Sequence, residues 1–245
     1  MAEKVNIFLL CNNEEAIIRG TIEHYRKYLT DPVITILNNE STDRSREIAE
    51  EMGCIVIEIE TQGIMNEFVQ TNLKNECWKN VTTGWCIVGD MDEWLVVTQQ
   101  QLLEEENRGT TILYVHGYNM MAESKYIMLD DIDLHKVNLG YFYPRENKSI
   151  CFKRPEIDDM RYDYGAHRSH PAGLRIQYSD DRIYILKHMA WLGLPHILDK
   201  MRRRQQRAEY LNNEYGINKH YFESEEKFIE EYNENLEKCI KNKIK

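Results

Sequence analysis

The feature that most constrains this chain is a fourfold alternation of short apolar runs with helical stretches in its first hundred residues. Residues 5–10 (VNIFLL) read as a strand. Ile18, Ile22, Tyr25 and Leu29 then share one face of a helix that begins after the polar pair Asn12-Asn13. Residues 33–37 (VITIL) form a second strand, and a helix from about Asp43 turns Ile48, Ala49 and Met52 inward until Gly53 stops it. A third strand covers residues 54–59. Met65, Val69, Leu73 and Cys77 step by four along a third helix, and residues 85–89 (WCIVG) make the fourth strand. Such alternation dictates an α/β fold with a mostly parallel sheet, right-handed crossovers and flanking helices. Ligands of these sheets bind beyond the carboxyl ends of the strands, where residues 11–14, 38–43 and 90–93 all fall.

The second half is less regular. Strands are expected near 111–116, 149–153 and 182–187, around a Tyr-, Asp- and His-rich stretch. Pro195 opens a helix reaching about Tyr215, and Ser224 caps a last helix with Phe228, Tyr232 and Leu236 inward. No Pro/Gly/Ser linker interrupts the chain, and 245 residues suit one α/β domain, so residues 1–245 are expected to fold together. A net charge of -10 argues against nucleic acid, which is bound through an excess of Lys and Arg. No run approaches the roughly 18 apolar residues of a membrane span, and no signal peptide opens the chain. A cytoplasmic location is the expectation. Six scattered cysteines without a CxxC pair point to core thiols rather than zinc or disulfides.

Gly89-Asp90-Met91-Asp92-Glu93-Trp94 is the sharpest candidate for chemistry. A diphosphate leaving group develops charge that a hard cation such as Mg²⁺ or Mn²⁺ can absorb, and such cations prefer carboxylate oxygens. Alternate strand residues share a face, which lets Asp90 and Asp92 address one ligand. The competing reading is an acidic turn with no ligand. Residues 38–45 (NNESTDRS) and 11–15 (CNNEE) read equally as helix-capping loops or as walls of the same crevice. Lys200, Arg202, Arg203, Arg204 and Arg207 are either a solvated helix face or cations for a diphosphate, an anionic acceptor or an acidic membrane surface.

Taken together, Asn13-Glu14-Glu15 after the first strand, N-x-S-T-D-x-S from Asn39 to Ser45, and Gly84-Trp85 leading into Asp90-Met91-Asp92-Glu93-Trp94 resemble family 2 glycosyltransferases of the GT-A fold. Residues 147–205 are similar to a subgroup with a histidine after the last core strand. The resemblance implies a GT-A domain with a nucleotide-binding half (1–100), an acceptor-binding half (101–190) and C-terminal helices (191–245). It also implies a hexosyltransferase-type enzyme, with a donor that is a nucleotide sugar of the UDP type and a glycan or other hydroxyl acceptor. Asn12, Asn13, Glu14 and Asn38 would border the base and ribose, with Asp90 and Met91 beside the donor. Asp90, Asp92 and His188 would hold the metal of a DXD site, Mn²⁺ in preference to Mg²⁺ because imidazole joins the oxygen set.

One departure stands out: members of the resembled family commonly carry an Asp where this chain has Asn38 or Asn39, which turns an acidic base contact into an amide one. Inverting transfer also requires a general base. Asp130, Asp131, Asp158, Asp159, Asp163 and His167 all fall where the acceptor should bind; Asp158 or Asp159, just after Arg154-Pro155, is the preferred base, with His167 the other candidate. A nucleotidyltransferase is the enzymatic alternative, although residues 11–15 lack the glycine and cation its first loop would carry. A non-catalytic nucleotide-sugar or glycan-binding module is the other.

Overall fold

The computed structural model describes residues 4–180, 182–216 and 219–241. Its first half is the expected alternation: β1 (Val5–Cys11), α1 (Glu15–Tyr28), β2 (Val33–Asn38), α2 (Ser45–Glu51), β3 (Ile55–Glu58), α3 (Glu67–Glu76) and β4 (Gly84–Asp90). The strands run parallel in the order β3-β2-β1-β4. β1 and β4 are almost continuously apolar because both of their faces are covered, and Ile7, Leu9 and Ile87 are fully buried beside Ile36 of β2. Register aligns Cys11 with Asn38 and Leu10 with Asp90, so three strands deliver their polar ends to one edge.

After Asp92 the chain enters a strand that the sequence reading had merged into the acidic turn, β5 (Glu93–Val96). The next element, also unanticipated, is α4 (Gln99–Arg108), started by a Thr98/Gln101 capping box and ended at Gly109. β6 (Val115–Met121), β7 (Gly140–Phe142), β8 (Cys151–Arg154), β9 (Ile157–Asp159), β10 (Ala172–Gly173) and β11 (Tyr184–Trp191) follow. β8 closes the first sheet antiparallel to β4, and a second sheet takes the order β5-β11-β6-β7. β11 is its centre: His188 lies opposite Glu93 on one side and Asn119 on the other. α5 (Leu194–Tyr215), with Pro195 in its first turn as expected, and α6 (Glu225–Lys241) complete the chain. Among the described residues no helix is long and apolar enough to cross a membrane.

Buried polar side chains of α1 fasten the acidic turn to the core. Thr21 Oγ1 donates to the Met91 carbonyl (2.9 Å), Tyr25 Oη to that of Glu93 (3.1 Å), and His24 Nε2 lies 2.9 Å from that of Leu95. The Trp94 indole N–H donates to Thr21 Oγ1 (2.7 Å), and its ring stacks on His24. Three of these contacts end on the carbonyls of residues 91, 93 and 95, which ties the backbone that carries Asp92 to α1.

Burial holds the His24 imidazole down at about 4. Its folded value is depressed, so between that value and the ordinary 6.5 the unfolded chain binds the extra proton, and stability falls as pH drops through this window. Urea denaturation should show a loss approaching about 1.4 kcal/mol per pH unit from this group, with a shallower slope in His24→Gln. An unchanged slope in the variant would contradict the assignment.

Candidate active site

Buried ions at the carboxyl edge of the first sheet form an alternating set. Asp90 Oδ1 meets Lys74 Nζ of α3 at 2.6 Å, while its backbone N–H donates to Glu93 Oε2 (3.0 Å). The other Glu93 oxygen takes Lys148 Nζ, which also lies 2.9 Å from Glu146. Lys200 of α5 bridges Glu14 Oε1 (2.6 Å) and Asp92 Oδ2 (2.7 Å). His188 faces the same Asp92 oxygen through Nε2 at 3.5 Å, and its Nδ1 is 2.7 Å from Asn119 Oδ1. Gly117 permits this layout, because a Cβ there would strike the Glu146 backbone at 2.3 Å.

Five carboxylates, Glu14, Asp90, Asp92, Glu93 and Glu146, thus share three lysines. Burial pushes the Asp92 carboxyl up, but Lys200 and His188 outweigh it and hold the group well below the usual range. Glu146 is carried to about 2 in the same way, with His188 and Lys148 prevailing over burial. For Glu14 burial wins and the carboxyl is raised despite Lys200. The His188 ring is lowered by burial and raised more strongly by Glu146 and Asp92, for a net rise.

Above this floor opens a cleft of about 720 Å³, within the size range of small-molecule sites. One wall is cationic: Arg203, Arg204 and Arg207 from α5 and Arg145 line it. Arg203 donates to the Asn13 carbonyl (2.9 Å) and Arg207 to Asn39 Oδ1 (2.9 Å), which ties α5 to the loops after β1 and β2.

Of the residues singled out in the sequence, Asn12, Glu14, Asp90, Met91, Asp92, His167 and His188 line this one cleft. Asn13 does not. It sits at φ 54°, and its side-chain oxygen accepts the Thr42 N–H (2.6 Å), locking two loops together. Asn38 gives its amide N–H to Glu58 (2.8 Å), and its oxygen is buried without a partner, whereas Asn39 reaches the lining. Asp158 and Asp159 lie on the β9 hairpin away from the cleft, facing Arg154 (3.7 Å) and Arg161 (3.5 Å). Trp191 also lines the cleft, half-buried.

The expected trio of metal ligands is not assembled: among the described residues no group of three or more His, Cys, Asp or Glu side chains is placed to hold an ion. Asp90 is turned to Lys74 instead. Asp92 and His188 face each other through O and N atoms 3.5 Å apart, with Asn119 fixing the imidazole from behind, but the same Asp92 oxygen holds Lys200 Nζ at 2.7 Å, so a divalent cation bound there would have to displace that ammonium. Cations that serve nucleotides commonly take one or two protein ligands and complete their shell from phosphate oxygens and water.

Sequence reasoning does not single out Lys74, Lys148, Glu146 or Asn119, and leaves Lys200 open between a solvated helix face and a cation for phosphate. A signal for Lys200 existed. It falls between Ile197 and Met201 on the apolar stripe of α5, which also carries Leu194, Ala208 and Leu211.

No protein-family model and no curated protein matches the chain. Among solved structures it is similar to S. aureus TarS, at a TM-score of 0.50 and 13% identity over 81% of this chain. The match spans only 38% of the TarS chain. S. aureus TarS 1-349 in complex with UDP-GlcNAc gives 0.45 and 12%, covering 87% of this chain and 73% of that one. Glucosyl-3-phosphoglycerate synthase from Mycobacterium tuberculosis, in complex with Mn²⁺, UDP and phosphoglyceric acid, gives 0.34 and 17%, covering 47% and 43%. At identities this low the likeness to TarS bears on architecture alone, and the fold is the GT-A type expected from the sequence.

Removing Lys200 would leave two buried carboxylates facing each other. Lys200→Met should cost roughly 3–5 kcal/mol in urea denaturation, against less than about 1 kcal/mol for Arg202→Ala, whose ion pair with Glu225 is exposed. Equal, small losses in both variants would show that Lys200 is not the counter-ion of this floor.

Proposed function

We propose that the chain is a glycosyltransferase that moves a sugar from a nucleoside diphosphate sugar, of the uridine type, to an acceptor hydroxyl with inversion. The observation that carries this reading is a single cleft with an acidic floor and an arginine wall at the carboxyl edge of the parallel sheet. A nucleoside diphosphate needs both. Its phosphates suit the forked guanidinium groups of Arg203, Arg204 and Arg207. Asn12 and Asn39 supply amide contacts at the mouths of β1 and β2, where a base and ribose would lie.

Asp92 and His188 are the residues that would hold a divalent cation, with Mn²⁺ preferred. When bound, such an ion supplies Lewis-acid stabilisation of the charge that develops on the departing diphosphate. Lys74 and Lys200 neutralise Asp90 and Glu14 around it and place fixed positive charge beside the same leaving group.

Of the base candidates, His167 alone reaches the cleft. Its Nδ1 lies 2.9 Å from the Arg145 carbonyl, which makes Nδ1 the protonated nitrogen and leaves Nε2 to accept a proton from the acceptor hydroxyl. Although the residue keeps an exposed face, desolvation within the cleft, and then Lys148, push this imidazole below its ordinary value, which favours the neutral form a base requires.

By calorimetry, Asp92→Ala should abolish Mn²⁺-dependent UDP binding and His188→Ala should weaken it at least about tenfold. Unchanged affinity in both variants would contradict the metal role. His167→Gln should retain UDP affinity and lose about 10²–10⁴-fold in transfer rate. The wild-type rate should hold as pH falls through 6.5 and decline only below it, as the depressed imidazole protonates. A variant as fast as wild type would remove His167 from the chemistry.

A further inference from the structure

A second concavity, of about 500 Å³, lies between β7 and α6. Its β side is the aromatic run Tyr141, Phe142 and Tyr143, and its helical side offers Glu230, Glu231, Glu234 and Asn235. Tyr143 and Glu231 line this groove and the donor cleft alike, so the two adjoin. The Tyr141 and Tyr143 rings stand 6.2 Å apart at 64° and present two differently oriented faces.

One atom indicates an unfilled demand. Asn235 is only 3% exposed, its Oδ1 accepts from Lys238 (2.9 Å), and its Nδ2 donates to nothing. A buried amide N–H₂ left without an acceptor costs free energy until a ligand supplies one. The surrounding groups specify the ligand's chemistry. Carboxylates accept hydroxyl protons, an amide donates to a hydroxyl oxygen, and aromatic faces cover the C–H faces of a sugar ring. Three glutamates against Lys227 and Lys238 disfavour an anionic chain.

We infer that this groove is the acceptor subsite, built for an uncharged oligosaccharide whose reactive end projects past Tyr143 into the donor cleft. The inference rests on the transferase reading for the meaning of "acceptor", but the groove's affinity for saccharide stands on its own residues.

Saturation-transfer NMR on the full chain tests it, with maltotetraose, cellotetraose, chitotetraose and the anionic tetragalacturonate as probes and UDP titrated in parallel. At least one neutral tetrasaccharide should bind and tetragalacturonate should not. Asn235→Leu and the surface change Glu234→Lys should each weaken saccharide binding at least about fivefold while leaving UDP affinity unchanged. Wild-type protein that binds UDP but none of the neutral probes, or saccharide binding indifferent to both substitutions, would overturn the inference. Saccharide binding without UDP binding would support the groove and overturn the transferase reading instead.

Discussion

Ionised carboxylates taken out of water must find positive charge close by or give up their own, and this constraint organises the molecule. The chain ends β4 on Asp90, places Asp92 and Glu93 within three residues of it, and brings Glu14 and Glu146 alongside. Lysines from three separate places answer them: Lys74 from α3, Lys148 from the segment before β8, and Lys200 from α5. Lys200 joins α5 to Glu14 and Asp92 far away in the chain, so charge compensation also sets how α5 packs on the sheet edge. Replacing such a network with apolar residues is often no less stable, so its persistence points toward use rather than toward stability.

That use follows from what the network leaves unfinished. Five carboxylates share three ammonium groups, and Asp92, which divides Lys200 with Glu14, has His188 as its other neighbour. The wall opposite is positive through the arginines of α5. A ligand matching both surfaces carries phosphate on one side and a cation on the other. The rigid clamp from α1 to the turn at residues 91–95 keeps the floor preorganised, so little reorganisation is needed as charge develops.

Much of this was legible in the sequence. Apolar runs buried on both faces announced β1, β2 and β4, and the polar residues after them announced the edge where Asn12, Glu14, Asp90 and Asp92 meet. His188 was accessible through resemblance only, because periodicity cannot say which residues of a central strand face a cleft. The lysines were hidden for a different reason. Lysine is ordinarily a solvated residue, and Lys200 is buried here against Glu14 and Asp92, 186 and 108 residues away in the chain.

 Only folding brings such partners together. Asp158 and Asp159 failed to reach the cleft for the converse reason, since β9, paired with β10, turns them toward Arg154 and Arg161.

The most direct measurement is a crystal structure of the protein grown with UDP and Mn²⁺, with data collected at the manganese edge. An anomalous peak at bonding distance from Asp92 and His188, with the diphosphate running along Arg203 and Arg207, is the predicted result. A nucleotide seated elsewhere, or a cleft that stays empty while Lys200 keeps its bridge between Glu14 and Asp92, would contradict the assignment of this site.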